Sequence, residues 1–398
     1  MRFPAEVEKV FAILHENGHA AWAVGGCVRD FLLGRTPKDY DVATDALPEV
    51  VMRLFAGFTV VPTGLQHGTV TVVARGMPVE VTTFRTDGAY LDNRRPSSVL
   101  FTRNIKEDQA RRDFTVNAIA WNPWDGFADS FGGREDLEVR LIRCVGDPNE
   151  RFGEDALRIL RAIRLAGELG FAIEENTAAC LHVKKESLKN ISAERVNAEF
   201  SRLLLSGRAG DFLPPFRDVF GVILPGLEQD PALEEKARTM DNSADLSAKL
   251  AILLDGLKSL QKAEEWLREM KFFNCITRHT LTLLKYKNHP VNPNRLAIKL
   301  WLKTLGADAF MRLLDLKSLT EDVEVQRKAA NEILDGGECY SVKNLAVNGR
   351  DLIESGMREG SGIGIVLSRL LMEVIRERVP NRKRDLLEYA KFLTGDKH

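Results

Sequence analysis

The period of apolar positions changes several times over the first part of the chain and then settles. PAEVEKVFAILHENG carries apolar residues at helical spacing and stops at Gly18, which predicts an amphipathic helix. AAWAVGG reads as a short strand running into two glycines. TVTVVA at 69–74 and VEVTTF at 79–84 alternate apolar with polar or β-branched residues between turn signals, the pattern of half-buried strands. Beyond about residue 150 these signals fade, and EDALRILRAIRLAGELGF and AERVNAEFSRLLLSG repeat at helical spacing. Ala156, Ile159, Ile163 and Ala166 form one predicted buried stripe. The expectation is an α+β N-terminal unit around a small mixed sheet, followed by all-α segments. Breaks near Ser206 to Gly210 and in NHPVNPN at 288–294 suggest units over 1–138, 139–206, 207–290 and 291–398. No repeat of fixed period suggests a solenoid.

A chain of 398 residues is too long for one core, so several structural units are expected. With 44% hydrophobic and 28% charged residues it has an ordinary globular composition. Five cysteines, at 27, 144, 180, 275 and 339, form no CxxC pair, which argues against a disulfide framework and a zinc site. Reduced, mostly buried thiols are expected. MRFPAEVEKVFAILHENGHA has no basic region followed by an apolar core, and no window approaches the roughly eighteen apolar residues of a membrane span. A cytoplasmic protein without membrane contact is the default. The net charge of -1 decides nothing about nucleic acids, because a sum hides local patches.

Candidate chemistry begins with KDYDVA. If Lys38 to Ala43 is a strand, Asp39 and Asp41 point one way while Tyr40 and Val42 point the other. Two carboxylates so placed can share divalent cations, and phosphoryl transfer commonly uses two metals about 3.5–4 Å apart. Oxygen ligands beside a phosphate favour Mg2+, with Mn2+ as the alternative. Alone, such a triplet is more often a solvated turn. Here Gly25 and Gly26 precede it, where the backbone can approach triphosphate oxygens, and Arg29 can meet their charge.

The run GGCVRDFLLGRTPKDYDVAT resembles the signature of the nucleotidyltransferase superfamily that includes DNA polymerase beta. More narrowly it resembles class II transfer-RNA nucleotidyltransferases of bacterial type, the CCA-adding enzymes, and their relatives the bacterial poly(A) polymerases. The resemblance implies a catalytic head over 1–138, a nucleotide-reading neck over 139–206, a body over 207–290 and a transfer-RNA-binding tail over 291–398. It makes Asp39 and Asp41 catalytic metal ligands and Gly26 and Arg29 nucleotide-binding, with Gly25 beside them. Glu80 reads either as a third acid near the metals or as half of a structural ion pair. TGLQHGTVTVV at 63–73 is similar to a segment that CCA-adding enzymes carry where poly(A) polymerases are Arg-rich.

RRDFTVNAIAW at 111–121 resembles the family's second motif. Arg111 and Arg112 suit a triphosphate, since a guanidinium binds phosphate oxygens in pairs. The resemblance gives Asp113 and Asn117 contact with the ribose. In EDALRILRAIRLA it gives Asp155 and Arg158, expected together on one helix flank, the reading of the Watson–Crick edge, and it adds Arg161 and Arg164 to the nucleotide-binding set. ERVNAEF at 194–200 looks like the following motif, with Glu194 and Arg195 bracing that helix. FRTDGAYLDNRRPSSVLFTRN reads as a mobile loop, matching the one CCA-adding enzymes need to switch from C to A. Ser130 and Ser361 stand where the family usually has proline, and the absence of a His-Asp dipeptide implies no attached phosphohydrolase domain. Lys285, Lys287, Arg295, Lys299 and Lys303, and Arg376, Arg378, Arg382, Lys383 and Arg384, form basic clusters that suit transfer-RNA phosphates.

The implied function is addition of C, C and A to the 3′ end of transfer RNA from CTP and ATP, with a homodimer compatible with it. The alternatives are a poly(A) polymerase, a CC-adding or A-adding enzyme, and a catalytically silent RNA-binding module.

Overall fold

Helix α1 (Ala5–Glu16) forms over the predicted amphipathic stretch, buries Val7, Val10, Phe11 and Leu14, and ends before Gly18, whose φ of 78° turns the chain back. β1 (Ala21–Val24), α2 (Gly26–Leu32), β2 (Asp41–Thr44) and α3 (Pro48–Leu54) follow. β3 (Thr59–Gly64), β4 (Thr69–Ala74) and β5 (Met77–Thr83) run back and forth beside them. Every second residue of β4 is buried, as the alternation predicts. Next come β6 (Arg85–Asp87), β7 (Val99–Phe101), α4 (Ile105–Ala110), β8 (Ala120–Asn122), β9 (Gly126–Ala128) and α5 (Gly133–Glu138). The computed structural model describes residues 1–88, 98–257 and 259–394. The centre of the loop expected to be mobile therefore lies outside the described residues. Its two stems, β6 and β7, pair as an antiparallel ribbon.

Seven strands make one mixed sheet in the order β3-β4-β5-β2-β1-β8-β9. Only β2 and β5 pair in parallel, with Asp41 opposite Glu80, while β1 pairs antiparallel to β2 with Val24 opposite Asp41. The end of β1, the start of β2 and the middle of β5 thus meet at one place. α1 and α3 pack on each other and on β4, burying Phe11 and Phe55 completely with Val70, Val72 and Val81. Each such side chain contributes ~1.5–3 kcal/mol by leaving water. Ser130 leaves its turn intact, because the Asp129 carboxylate accepts from the N–H groups of Gly133 and Arg134 and so caps α5.

The chain continues through β10 (Leu141–Ile142), α6 (Pro148–Glu154), α7 (Leu157–Leu169), β11 (Ala172–Ile173), α8 (Glu175–Lys184) and α9 (Ala193–Leu204). The predicted stripe of Ala156, Ile159, Ile163 and Ala166 is fully buried. α7 packs along α9, closely enough at Gly167 that a Cβ there would stand 2.9 Å from Leu203 Cδ1. Together with the helices up to Asp241 and residues 269–271, all this forms one compact unit.

The second unit comprises residues 242–268 and 272 onward and is helical. One core gathers Leu283, Ile298, Leu302, Phe310, Leu314 and Ile333, and a second gathers Leu352, Leu370, Leu371, Ile375 and Leu386. NHPVNPN separates two helices inside this unit, with Asn294 capping the helix Arg295–Leu305. The basic clusters are used largely inside this unit. Lys299 is buried against Glu338 and Glu377, Arg295 pairs with Glu332 and Glu338, Lys287 with Asp255, and Lys383 with Asp351. No helix among the described residues is long and apolar enough to cross a membrane. Four of the five cysteines are buried, and all five are free.

Candidate active site

The strand carrying the acids is shorter than expected. β2 begins at Asp41 rather than Lys38, and Lys38 and Asp39 form a bend before it. The Tyr40 carbonyl still accepts from the Glu80 N–H at 3.1 Å, which extends the contact with β5 ahead of the strand. Asp39 therefore does not alternate with Asp41 on one strand, yet both line the same cavity of about 400 Å³ with Gly26 and Arg29. Burial pushes the Asp41 carboxyl up to about 6, with Glu80 and Asp39 adding repulsion and Arg112 opposing it. No salt bridge among the described residues engages Asp39, Asp41 or Glu80. No cluster of three or more His, Cys, Asp or Glu among the described residues is gathered tightly enough to hold a metal. A cation here would be shared between one or two carboxylates and substrate oxygens, which is how Mg2+ is usually held.

The glycine turn brings an arginine to these acids. Gly25 has φ 75° and ψ -139°, and a Cβ on it would stand 3.3 Å from Arg112 Nη1 and 3.5 Å from Asp41 Oδ2. A side chain there would be strained and would crowd both groups. At Gly26 a Cβ would meet Arg29 Nη2 at 3.5 Å. Asp108, completely buried, holds Arg111 at 2.7 Å and Arg112 at 3.1 Å. Burial alone would raise its carboxyl, but the charges and hydrogen bonds of the two arginines outweigh that and lower it.

A polar chain leads from Arg29 to α7. Arg29 donates to Asp30 at 2.7 Å and to Asn117 Oδ1 at 2.7 Å, and Asn117 donates to Asp113 Oδ1 at 3.2 Å. The Asp113–Asn117 pairing is made across a single 3-10 turn over Thr115–Asn117. Arg161 Nε donates to the other Asp113 oxygen at 2.8 Å. Burial works against the Asp113 anion, yet Arg161 beside it holds the carboxyl well below its usual range. Arg164 is 6% exposed and lies between Glu199 and Glu168, each at 2.6 Å.

Asp155 and Arg158 are placed differently from expectation. α6 ends at Glu154, Asp155 is extended with φ -138° and ψ 104°, and α7 starts at Leu157, so the two are not one turn apart on a helix. The Asp155 carboxylate instead caps α7 by accepting from the Leu157 N–H at 3.1 Å, and its other oxygen takes Arg195 at 2.7 Å. That gives Arg195 the bracing position expected for it. Arg158, 8% exposed, donates to the carbonyls of Arg151 and Arg111, each at 3.0 Å, and pairs with Glu154. Nitrogens of Arg112, Arg151 and Arg195 are buried here without an acceptor, the state expected where an acceptor-rich ligand is to be met. Sequence reasoning passed over Asp108, Glu154, Glu168, Glu199 and Arg202. Legible signals among them were the spacing of Asp108 to Arg111 and Arg112, three and four residues, and the four-residue spacings of Glu154 to Arg158 and of Arg164 to Glu168.

A glycine turn, paired acids at the start of the central strand of a mixed sheet and arginines gathered beside them define a nucleotidyltransferase head, here followed by helices. Family models agree along the chain: the poly A polymerase head domain over residues 21–143, the RNA- and SrmB-binding site of polymerase A over 170–228, and tRNA nucleotidyltransferase domain 2 over 240–390. The CCA-adding enzyme of Oceanobacillus iheyensis is 33% identical, covering 96% of this chain and 95% of the relative, and that of Lacticaseibacillus paracasei is 37% identical over 96% and 94%. The crystal structure of the Bacillus stearothermophilus CCA-adding enzyme in complex with CTP superposes with a TM-score of 0.84 at 31% identity, covering 99% and 98% of the two chains. The chain belongs to the CCA-adding enzymes, a family of transfer-RNA nucleotidyltransferases. Nucleotidyltransferases of this superfamily generally use divalent metal ions.

Proposed function

We propose that this protein adds C, C and A in turn to the 3′ end of transfer RNA, taking them from CTP and ATP in the cytoplasm. The observation that carries the reading is the cavity in which Asp39 and Asp41 face Gly26 and Arg29. In the reaction the RNA 3′-hydroxyl oxygen forms a bond to the α-phosphorus. The bond from that phosphorus to the oxygen bridging to the β-phosphate breaks, pyrophosphate leaves, and the hydroxyl proton passes to solvent. Asp39 and Asp41 would hold Mg2+, or Mn2+ in its place, supplying Lewis-acid stabilisation of the phosphate charge, and the unpaired state of both carboxylates fits that role. Glu80 adds negative potential beside them.

Arg111 and Arg112, fixed by Asp108, counter charge on the triphosphate. Gly25 and Gly26 let its oxygens approach the backbone, with Arg29 beside them. Asp113 and Asn117 hold the ribose side, and Arg161 and Arg164 support them through Asp113, Glu199 and Glu168. Asp155 and Arg158 choose the base. Both are held by protein partners, and a preorganised pair rejects wrong bases because unmatched buried groups are costly, about 1–3 kcal/mol each.

The test offers purified protein three transfer-RNA transcripts, ending before CCA, after C and after CC, with CTP, ATP or both. Three additions to the shortest followed by a stop are expected. Arrest after two, addition of A alone to the CC end, a long adenylate ladder or no extension would replace the reading with CC addition, A addition, poly(A) synthesis or RNA binding respectively. Asp39→Ala and Asp41→Ala should each abolish extension while transfer-RNA binding persists.

A further inference from the structure

The cavity that holds the acids has a further part of its lining to which the reaction above assigns no contact with the nucleotide. It is built by Arg35 and Lys38, from the segment between α2 and β2, by Glu168 near the end of α7, and by Arg202 on α9. Glu168 organises it. Its carboxylate takes Arg202 at 2.9 and 3.1 Å and Arg164 at 2.6 Å, and its backbone carbonyl accepts from Arg35 Nη1 at 3.3 Å. Arg164 is separately neutralised by Glu199. Lys38 has no ion pair among the described residues. This part of the lining is therefore cationic on balance, with the Glu168 carboxylate aiming Arg202 and its backbone carbonyl holding Arg35, in the same cavity as the acidic Asp39 and Asp41.

A cavity of this two-signed kind suits a ligand that is itself anionic but travels with cations. The acids take the metal, and the metal and the neighbouring arginines both seek phosphate oxygens. The position along α7 separates this wall from base selection. Leu157, the first residue of α7, and Glu168 are eleven residues apart, about 16 Å along the helix axis. The N-terminal end of α7 is thus the base-reading end, and the other end carries groups that recognise only phosphate.

We infer that Arg35, Lys38 and Arg202 seat the β- and γ-phosphates of the incoming nucleotide and then retain the pyrophosphate these become, with Glu168 as the positioning residue for Arg35 and Arg202. The inference rests on the nucleotidyl transfer proposed above. Because CTP and ATP share these phosphates, the seat is blind to the base. Its loss weakens both nucleotides by one factor and leaves the choice among bases untouched.

The experiment measures binding of inorganic pyrophosphate with Mg2+ by calorimetry on the full-length protein without RNA, so no chemistry intervenes. Arg35→Ala, Lys38→Ala and Arg202→Ala are each expected to weaken pyrophosphate roughly three- to tenfold, the range for one charge-assisted contact at a partly exposed site. Arg202→Lys should recover part of that loss, which a purely structural role would not allow. Glu168→Gln should weaken pyrophosphate while preserving the helix, as read by its melting temperature. In steady state, KM for CTP and for ATP should rise together with kcat nearly constant and discrimination against UTP and GTP unchanged.

Unchanged pyrophosphate affinity in all three alanine variants would overturn the proposal. So would a rise in KM for RNA alone, which would assign the wall to phosphodiesters of the primer. If the parent protein binds pyrophosphate through these residues but extends no transcript, the seat stands and the proposed reaction fails. If it extends transcripts and the seat variants bind pyrophosphate normally, the reverse holds.

Discussion

Replacing Asp113 with asparagine preserves its outline and removes one charge from the junction between the sheet unit and α7. The parent side chain is 8% exposed and accepts from the Phe114 N–H at 2.8 Å, from Asn117 at 3.2 Å and from Arg161 at 2.8 Å. The amide can satisfy the first two acceptor positions with its oxygen, but its NH2 group then faces the Arg161 donors. Removing one partner from a buried pair costs about 3–5 kcal/mol when the other is left without compensation. Arg161 is partly compensated, since Glu199 lies at 3.8 Å and its side chain is 36% exposed. That lowers the expected loss to ~2 kcal/mol. Urea unfolding at pH 7, followed by a probe in the first unit, measures it as a fall in midpoint at constant slope.

The pH dependence supplies a second reading of the same substitution. The Asp113 carboxyl is held below its ordinary range in the folded protein. Its stabilisation is therefore complete above the unfolded value of about 3.9 and is lost as pH falls through the lower folded value. The gap between parent and Asp113→Asn should be widest near neutrality and close in strong acid. Equal stability at pH 7, or a gap that persists undiminished into acid, would refute the assigned charge pairing.

Gly133→Ala places a Cβ 2.1 Å from the Thr115 carbonyl oxygen, a backbone atom that cannot rotate aside, so a loss of ~3 kcal/mol is expected in the same unfolding assay; a loss under ~1 kcal/mol would contradict the packing. Because Asp41 sits at about 6 and must be ionised to bind a cation, affinity of the ligand-free protein for Mg2+ should climb as pH rises through that value; titrations showing no pH dependence would exclude Asp41 as a ligand. Arg195→Ala frees the Asp155 carboxylate it now holds at 2.7 Å and should increase misincorporation of UMP and GMP before total activity falls, an effect single-nucleotide product sizing would detect or deny.

Much of the sheet unit was readable because burial there follows a period of two. TVTVVA could bury Val70 and Val72 only by placing the threonines on the opposite face, and the strand does so. α1 was equally plain. Asp155 was misplaced because Gly153, in the last turn of α6, is a weak stop signal inside a run that continues at helical spacing. The break is made by the Asp155 side chain itself, which serves the Leu157 N–H and Arg195 in place of a helical turn. The burial of Lys299 within a basic cluster was hidden for a different reason. Lys299 is neutralised by Glu377, 78 residues away, and local spacing carries no trace of so distant a partner. Asp39 and Asp41 were found through their motif, whereas Glu168 and Arg202 sit inside unbroken helical patterns, and only the packing of α7 on α9 turns them toward the cavity.

The single parallel pairing in the sheet bears on the order of assembly. Neighbours joined by a tight hairpin inherit their register from the turn, but β2 and β5 are joined only after the chain has passed through α3, β3 and β4. Their alignment is a long-range closure, slow to form and costly in chain entropy until the intervening strands are in place. A slip of one residue would turn Glu80 to the far face of the sheet and take its charge away from Asp41. In refolding, recovery of cation binding should therefore lag behind helix formation and report the moment at which this unit closes correctly.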